Sequence, residues 1–129
     1  LQMREDNMIR ILVVDDEAET CALLERYLTK KGYQVFTALS GEDAVNIVKE
    51  ERPHIVLLDI RMPGMGGIEA LKKIKEIDKN IGVIMITAVK EEDTANETLK
   101  LGADDYISKP MDLKYLDDVL MVKIAMMTG

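Results

Sequence analysis

The sequence has little of three features that would each indicate a function. Cys21 is the only cysteine, so no disulfide can form within the chain and an oxidising compartment gains no support. The longest apolar runs fall far short of the roughly 20 residues of a membrane-spanning helix, and the polar start lacks the apolar core of a signal peptide. Basic residues are the minority, since 17 Lys and Arg against 24 Asp and Glu give a net charge of -7. We therefore expect a cytoplasmic protein that binds neither nucleic acid nor a membrane.

The composition is that of a folded domain. Hydrophobic residues make up 47% and charged residues 32% of the 129 positions, which is a globular balance. A chain of this length forms one domain. We expect residues 9–127 to make up that domain and residues 1–8 to be a polar N-terminal tail.

Short β-branched apolar runs alternate with amphipathic stretches along the chain. This alternation predicts βα units around a parallel sheet, in an α/β fold that is doubly wound with helices on both faces. The second strand is the most polar and is expected at an edge, whereas the third is apolar on both faces and is expected at the centre. In the last helix, Met121, Val122, Met126 and Met127 could complete the core face or form part of a partner surface, and we favour the core for most of them. The predicted strands are Ile9–Val14, Gln34–Ala38, Ile55–Leu58, Gly82–Ile86 and Asp104–Ile107.

Polar residues stand at the carboxyl ends of four predicted strands. In doubly wound folds ligands bind at this edge of the sheet, so the side chains are expected to converge there. The residues are Asp15 and Asp16 after the first strand, Asp59 after the third, Thr87 after the fourth, and Lys109 with Pro110 after the fifth.

Clustered carboxylates without Cys or His favour a hard cation, Mg²⁺, Mn²⁺ or Ca²⁺, over zinc. Mg²⁺ fits an open edge best, because it keeps several waters and needs only one or two carboxylates. With a lysine and a hydroxyl added, the set suits phosphoryl transfer to an aspartate. Asp59 would be the nucleophile, Lys109 would neutralise phosphoryl charge, and Thr87 would hydrogen-bond an equatorial oxygen.

Each of these residues alone has an ordinary structural explanation. Asp15 and Asp16 could cap a helix, Asp59 could open a turn, Lys109 could be a solvated charge, and Thr87 could end a strand. Their joint position at one edge favours the functional interpretation. A nucleophile and base pair of Cys21 with the single histidine, His54, is a much weaker alternative.

Four segments that carry these residues resemble the response-regulator receiver domains of two-component signalling. The similarity extends from Ile9 to about Ile124. The segments are ILVVDDE (Ile11–Glu17), VLLDIRMPGMGG (Val56–Gly67), MITA (Met85–Ala88) and LGADDYISKP (Leu101–Pro110).

The resemblance implies a flavodoxin-like sheet of five strands in the order 2-1-3-4-5. It implies Mg²⁺-dependent phosphorylation of Asp59 by a sensor histidine kinase or a phosphotransfer protein, followed by autodephosphorylation, with no activity on other substrates. By position, Asp16 resembles the direct Mg²⁺ ligand and Asp15 a ligand that acts through water. Arg61 would offer its backbone carbonyl to the metal.

The resemblance also implies a switch. Lys109 would pair with the phosphoryl group, and its bond to Pro110 would be cis. When the phosphoryl group draws Thr87 inward, the ring of Tyr106 would fill the vacated space and change the surface that an effector protein or domain reads. A phosphorylation-linked homodimer is compatible with the same switch.

The chain departs from the family pattern in three places. Gly66 replaces the usual aspartate and predicts a looser loop, Met111 stands where an aromatic residue is common, and the last helix lacks the arginine of winged-helix regulators. Arg61 and Val89 match positions that tune dephosphorylation. Neither offers a base that would orient water, which predicts a long-lived phosphorylated form.

Two other functions are compatible with the fold. A phosphorylation-independent docking or dimerisation module would not need clustered carboxylates. A phosphohydrolase with an aspartyl nucleophile would normally have an acid beside the nucleophile, but Ile60 and Arg61 follow Asp59.

Overall fold

Strands and helices alternate as predicted in a computed structural model, which describes residues 8–88 and 92–128. All strand pairs are parallel, and the sheet has the order β2-β1-β3-β4-β5, which confirms the fold class. The strands are β1 (Arg10–Val14), β2 (Gln34–Ala38), β3 (Ile55–Asp59), β4 (Gly82–Thr87) and β5 (Asp105–Ser108).

The helices form one layer on each face of the sheet. Buried side chains of α1 and α5 pack against one face, and those of α2, α3 and α4 pack against the other. The helices are α1 (Ala18–Lys30), α2 (Gly41–Glu51), α3 (Gly67–Ile77), α4 (Glu92–Lys100) and α5 (Leu113–Thr128). None of the helices in residues 8–88 and 92–128 is long and apolar enough to span a membrane.

Burial follows strand position, as the sequence predicts. Every residue of β3 and β4 is buried, whereas four of the five residues of β2 are only half-buried. Because β1, β3 and β4 are covered by helices on both faces, the carboxyl ends of these strands are held rigidly.

Local signals fix several helix ends. The Ser40 hydroxyl accepts a hydrogen bond from the Asp43 backbone N–H at the start of α2. The Asp112 carboxylate accepts from the Lys114 and Tyr115 N–H groups at the start of α5. Gly32, just beyond α1, has a φ of 98°, which glycine adopts without steric cost.

The prediction for the end of α5 is wrong. Met121, Val122, Met126 and Met127 are 66%, 60%, 73% and 37% exposed, so they do not belong to the core. Leu116 and Leu120 alone provide the fully buried contacts of this helix, since the sheet can cover only one side of it.

Candidate functional site

Three carboxylates meet at the carboxyl edge of the sheet. Asp15 and Asp16 follow β1, and Asp59 is the last residue of β3. One carboxylate oxygen from each lies within 4.8 Å of the other two. Asp15 and Asp59 are 3% and 6% exposed, whereas Asp16 faces solvent. The donor set is made of oxygen atoms only and is open on one side, which fits a hard divalent cation.

Lys109 joins two of these carboxylates from the loop after β5. Its Nζ donates to Asp15 Oδ2 and to Asp59 Oδ2, at 3.2 Å in each case. Backbone pairing sets this position, because the Lys109 N–H donates to the Thr87 carbonyl at 2.7 Å. The peptide bond between Lys109 and Pro110 is cis.

Burial and charge act against each other at this site. Burial raises the pKa of Asp59 and the Asp15 charge adds to the effect, while Lys109 and the Arg61 backbone N–H offset part of it. Burial alone would lower the pKa of Lys109, but the charges and hydrogen bonds of Asp59 and Asp15 outweigh it and raise that pKa. The ammonium is therefore held charged beside a carboxylate that is costly to ionise.

Asp15 is fixed by contacts to its carboxylate and to its main chain. Its Oδ1 accepts from the Glu17 backbone N–H at 2.8 Å, and its main-chain N–H donates to the Ala38 carbonyl. The Cys21 thiol, one turn into α1, lies 3.4 Å from the Asp15 carbonyl oxygen. Cys21 is thus a structural neighbour of the site. His54 accepts from Arg10 at the other end of the sheet, which removes the basis for a Cys–His pair.

A shallow cleft of about 190 Å³ opens beside Asp59. Its lining also includes Asp16, Arg61, Ala88 and Lys109. Ala88 is exposed and small, so the space in front of the carboxylate is unobstructed. Val89, named from the sequence as a neighbour of this cleft, lies outside the described residues.

The loop from Ile60 to Gly66 frames the cleft. It closes on itself through the Gly67 N–H, which donates to the Ile60 carbonyl at 2.8 Å. A Cβ atom on Gly67 would overlap the Asp59 carbonyl oxygen, so the close approach requires glycine. Gly66 is the N-cap of α3 and supplies no side-chain hydrogen bond; instead, Glu42 of α2 accepts from the Met65 N–H at 3.4 Å.

Thr87 and Tyr106 lie on the same face of neighbouring strands. Thr87 is fully buried, and its hydroxyl donates to the Ala88 carbonyl at 3.0 Å. Tyr106 pairs with Met85 across the sheet, two residues before Thr87, and its half-buried ring packs against the core on the α4 side. Side chains two residues apart point to the same face.

Comparisons with known proteins agree with this geometry. The family model described as the response regulator receiver domain matches residues 11–121. The sporulation initiation phosphotransferase F of Bacillus subtilis is 46% identical over 111 residues, covering 86% of this chain and 90% of the relative. The transcriptional regulatory protein ZraR of Salmonella typhimurium is 43% identical over 117 residues, covering 91% of this chain but 26% of that protein.

Solved structures give the same answer for the fold. A CheY-like response regulator receiver domain protein from Methanospirillum hungatei superposes with a TM-score of 0.90 at 28% sequence identity, and the match covers 95% of this chain and 98% of that one. The match of the family model to most of the chain, with the carboxylate edge in place, establishes the family. The chain belongs to the response regulator receiver domains, which are phosphorylation-dependent signalling modules of two-component systems.

Proposed function

We propose that Asp59 is the phosphoacceptor of this receiver. The observation that supports this role is the position of its carboxylate, at the cleft, beside Asp16 and 3.2 Å from the Lys109 ammonium. One of its oxygens would attack phosphorus while the bond from phosphorus to the donor nitrogen of a phosphohistidine breaks. The electron pair of that bond leaves with the donor, so no oxidant or reductant is needed.

Mg²⁺ is the cofactor that the donor set suits best, and Mn²⁺ has the same preference for oxygen. The carboxylates of Asp15, Asp16 and Asp59 and the backbone carbonyl of Arg61 would hold it. When bound, the ion would neutralise charge on the phosphoryl oxygens. The protein's own side chains make the other contacts with the phosphoryl group.

Lys109 supplies fixed positive charge to the phosphoryl group. It is tied to the sheet by its backbone and to Asp15 by its side chain, so it is already oriented before the reaction. The Thr87 hydroxyl reaches the phosphoryl group only by giving up its bond to the Ala88 carbonyl. That exchange is the first step of the switch we propose, and movement of the Tyr106 ring is the second.

The partners follow from this chemistry. A sensor histidine kinase or a phosphotransfer protein donates the phosphoryl group, and a separate effector, or a phosphorylation-linked homodimer, carries the output. Autodephosphorylation ends the signal. Since Arg61 is the cleft residue after Asp59 and Ile60 and carries no base, we expect a slow rate of phosphate loss.

Incubation with acetyl phosphate and Mg²⁺, followed by intact mass measurement, tests the proposal. We expect one phosphoryl adduct in the wild type and in Asp43→Ala, a carboxylate variant outside the cleft, and none in Asp59→Ala. Addition of a chelator should abolish adduct formation. An adduct that survives Asp59→Ala would refute the assignment, and the absence of any adduct together with constitutive partner binding would favour a docking module.

A further inference from the structure

The loop from Ile60 to Gly66, which carries Arg61 beside the cleft, is in contact with the start of α2. The Glu42 carboxylate, in the first turn of that helix, accepts a hydrogen bond from the Met65 N–H at 3.4 Å. Gly64 has a φ of 72°, and a Cβ atom there would lie 3.2 Å from Glu42 Oε2. Two residues of the loop therefore lie against one carboxylate of a neighbouring helix.

The end of α2 that carries this carboxylate is itself fixed. The Ser40 hydroxyl caps the helix by accepting from the Asp43 N–H at 3.1 Å. Gly41 is buried, and a Cβ atom on it would overlap the Met65 carbonyl oxygen, so the helix begins in direct contact with the loop backbone. The half-buried Met65 side chain also packs against the core. Met65 is thus the residue through which the loop meets α2.

The junction of the loop with α3 lacks a side-chain cap. Gly66 is the N-cap of α3 and has no side chain that could accept a hydrogen bond. An aspartate, asparagine, serine or threonine at this position accepts from an N–H two or three residues further on and so fixes the chain where it enters the helix. Here Glu42 supplies a carboxylate from another helix, and it binds the N–H of the residue directly before the N-cap.

We propose that Glu42 is a positioning residue for the divalent cation. By holding Met65, it holds the loop so that the Arg61 backbone carbonyl already faces the cation site when the ion arrives. This inference rests on the proposed function, which places that carbonyl among the ligands. Glu42 is not among the residues that line the cleft, so it acts through the loop. We therefore expect it to affect Mg²⁺ binding and not phosphoryl transfer itself, since Asp59 and Lys109 are held by the strands.

An acidic residue in the first turn of a helix also has an ordinary role, because it stabilises the helix through the dipole. Asp43 shares that role, since it is the next residue in the same turn and is also exposed. Asp43→Ala is therefore the matched control for Glu42→Ala. Glu42→Gln separates the hydrogen bond from the charge, because glutamine keeps an acceptor oxygen and is neutral.

Amide exchange at Met65, measured by NMR on the metal-free protein, tests the contact directly. We expect exchange to be about fivefold faster in Glu42→Ala than in the wild type, because the N–H loses its acceptor. Asp43→Ala should leave the rate unchanged, and Glu42→Gln should stay within about twofold of the wild type.

Calorimetric titration with Mg²⁺ tests the consequence for the site. We expect the Kd to rise about tenfold in Glu42→Ala and to stay near the wild-type value in Glu42→Gln and Asp43→Ala. The rate of adduct formation from acetyl phosphate should show the same division. Glu42→Ala should need about tenfold more Mg²⁺ for half of the maximal rate, and at saturating Mg²⁺ it should react as fast as the wild type.

Three results would overturn the inference: equal Mg²⁺ affinity of Glu42→Ala and the wild type, equal losses in Glu42→Ala and Asp43→Ala, or a Glu42→Gln variant that binds as weakly as Glu42→Ala. Circular dichroism melts would show that all three variants are folded. A wild type that neither binds Mg²⁺ nor forms an adduct would refute the proposed function and this inference with it. That failure is distinct from a wild type that does both while Glu42→Ala matches it, which refutes the inference alone.

Discussion

At the scale of single residues, the site depends on one ammonium shared between two carboxylates. The Lys109 Nζ lies 3.2 Å from both Asp15 and Asp59, and both carboxylates are buried. The ammonium makes the fold tolerate these charges when no divalent cation is bound. It also competes electrostatically with such a cation, because both positive charges are attracted to the same oxygen atoms.

Replacing Lys109 by methionine should therefore separate metal binding from phosphorylation. We expect Mg²⁺ affinity to rise about tenfold as the competing charge is removed, and the rate of adduct formation to fall at least about tenfold as phosphoryl charge loses its neutralising group. Calorimetry would measure the first and intact mass the second. Lys114→Met, an exposed lysine in α5, is the control and should change neither. Loss of Mg²⁺ binding in Lys109→Met would contradict this electrostatic account.

That Asp15, Asp16, Asp59 and Lys109 lie together at one edge of the sheet could be predicted from their types and from the strands they follow. The contacts that hold them could be predicted only in part. An aspartate favours accepting from the N–H two residues further on, as Asp15 does from Glu17. Nothing in the sequence indicates that the Cys21 thiol lies beside the Asp15 carbonyl oxygen, because a thiol is usually a small apolar group.

At the scale of elements, the alternation of apolar and amphipathic stretches predicted the ends of all five strands to within one residue. Asp59 and Thr87 are the last residues of β3 and β4 and do not follow them, a shift that leaves their side chains at the same edge. The prediction failed at α5, where apolar residues occur on more than one side. Hydrophobicity alone cannot tell which of two apolar stripes a sheet will cover.

Long-range ion pairs were also beyond prediction. Asp104 joins Lys75 of α3 and Lys123 of α5 from opposite faces of the sheet, and it accepts from the Val83 N–H at 2.8 Å. These contacts, with burial opposing them as the largest single influence, leave the pKa of Asp104 lowered. Pairs of this kind depend on where three elements end in space, which local sequence patterns do not record.

The loop between β3 and α3 offers a paired test of close packing. Gly67→Ala should destabilise the fold by about 1–3 kcal/mol, because the new methyl group would overlap the Asp59 carbonyl oxygen and the loop would have to shift. Gly66→Ala should change stability by no more than about 0.5 kcal/mol, since its nearest non-neighbouring atom is 3.6 Å away. Urea denaturation of both variants would measure the difference. If the two variants lost the same free energy of unfolding, the loop would be shown to accommodate a methyl group at Gly67 without cost.

At the scale of the whole molecule, the acid excess has two different consequences. Most carboxylates are solvated on helix surfaces, where they support solubility and contribute little to stability. Asp15 and Asp59 are buried at the edge of the sheet that carries the candidate site, and burial makes the Asp59 charge costly there. Of the carboxylates that give the chain its net charge of -7, only a few bear on the proposed function, but those few have a large effect.

Because burying the Asp59 charge costs stability, we expect Asp59→Asn to stabilise the metal-free protein. Burial raises the pKa of Asp59 in the folded state, so between its ordinary value and the raised one the native protein binds more protons than the unfolded chain. The free energy of unfolding then falls as pH rises through that window and stays lower at neutral pH. An asparagine side chain does not ionise, so Asp59→Asn does not lose stability in this window. At neutral pH its free energy of unfolding should exceed that of the wild type by about 1 kcal/mol.

Thermal melts at neutral and mildly acidic pH, with and without Mg²⁺, would measure the effect. The advantage of Asp59→Asn should shrink as the pH is lowered, because the wild-type carboxylate then becomes protonated. Mg²⁺ should raise the Tm of the wild type more than that of the variant, since the ion stabilises only the state that binds it. Asp43→Asn removes an exposed carboxylate at the start of α2 and should show neither response. A variant less stable than the wild type at neutral pH would mean that the Lys109 pair outweighs the burial of Asp59, and would reverse the sign of the argument.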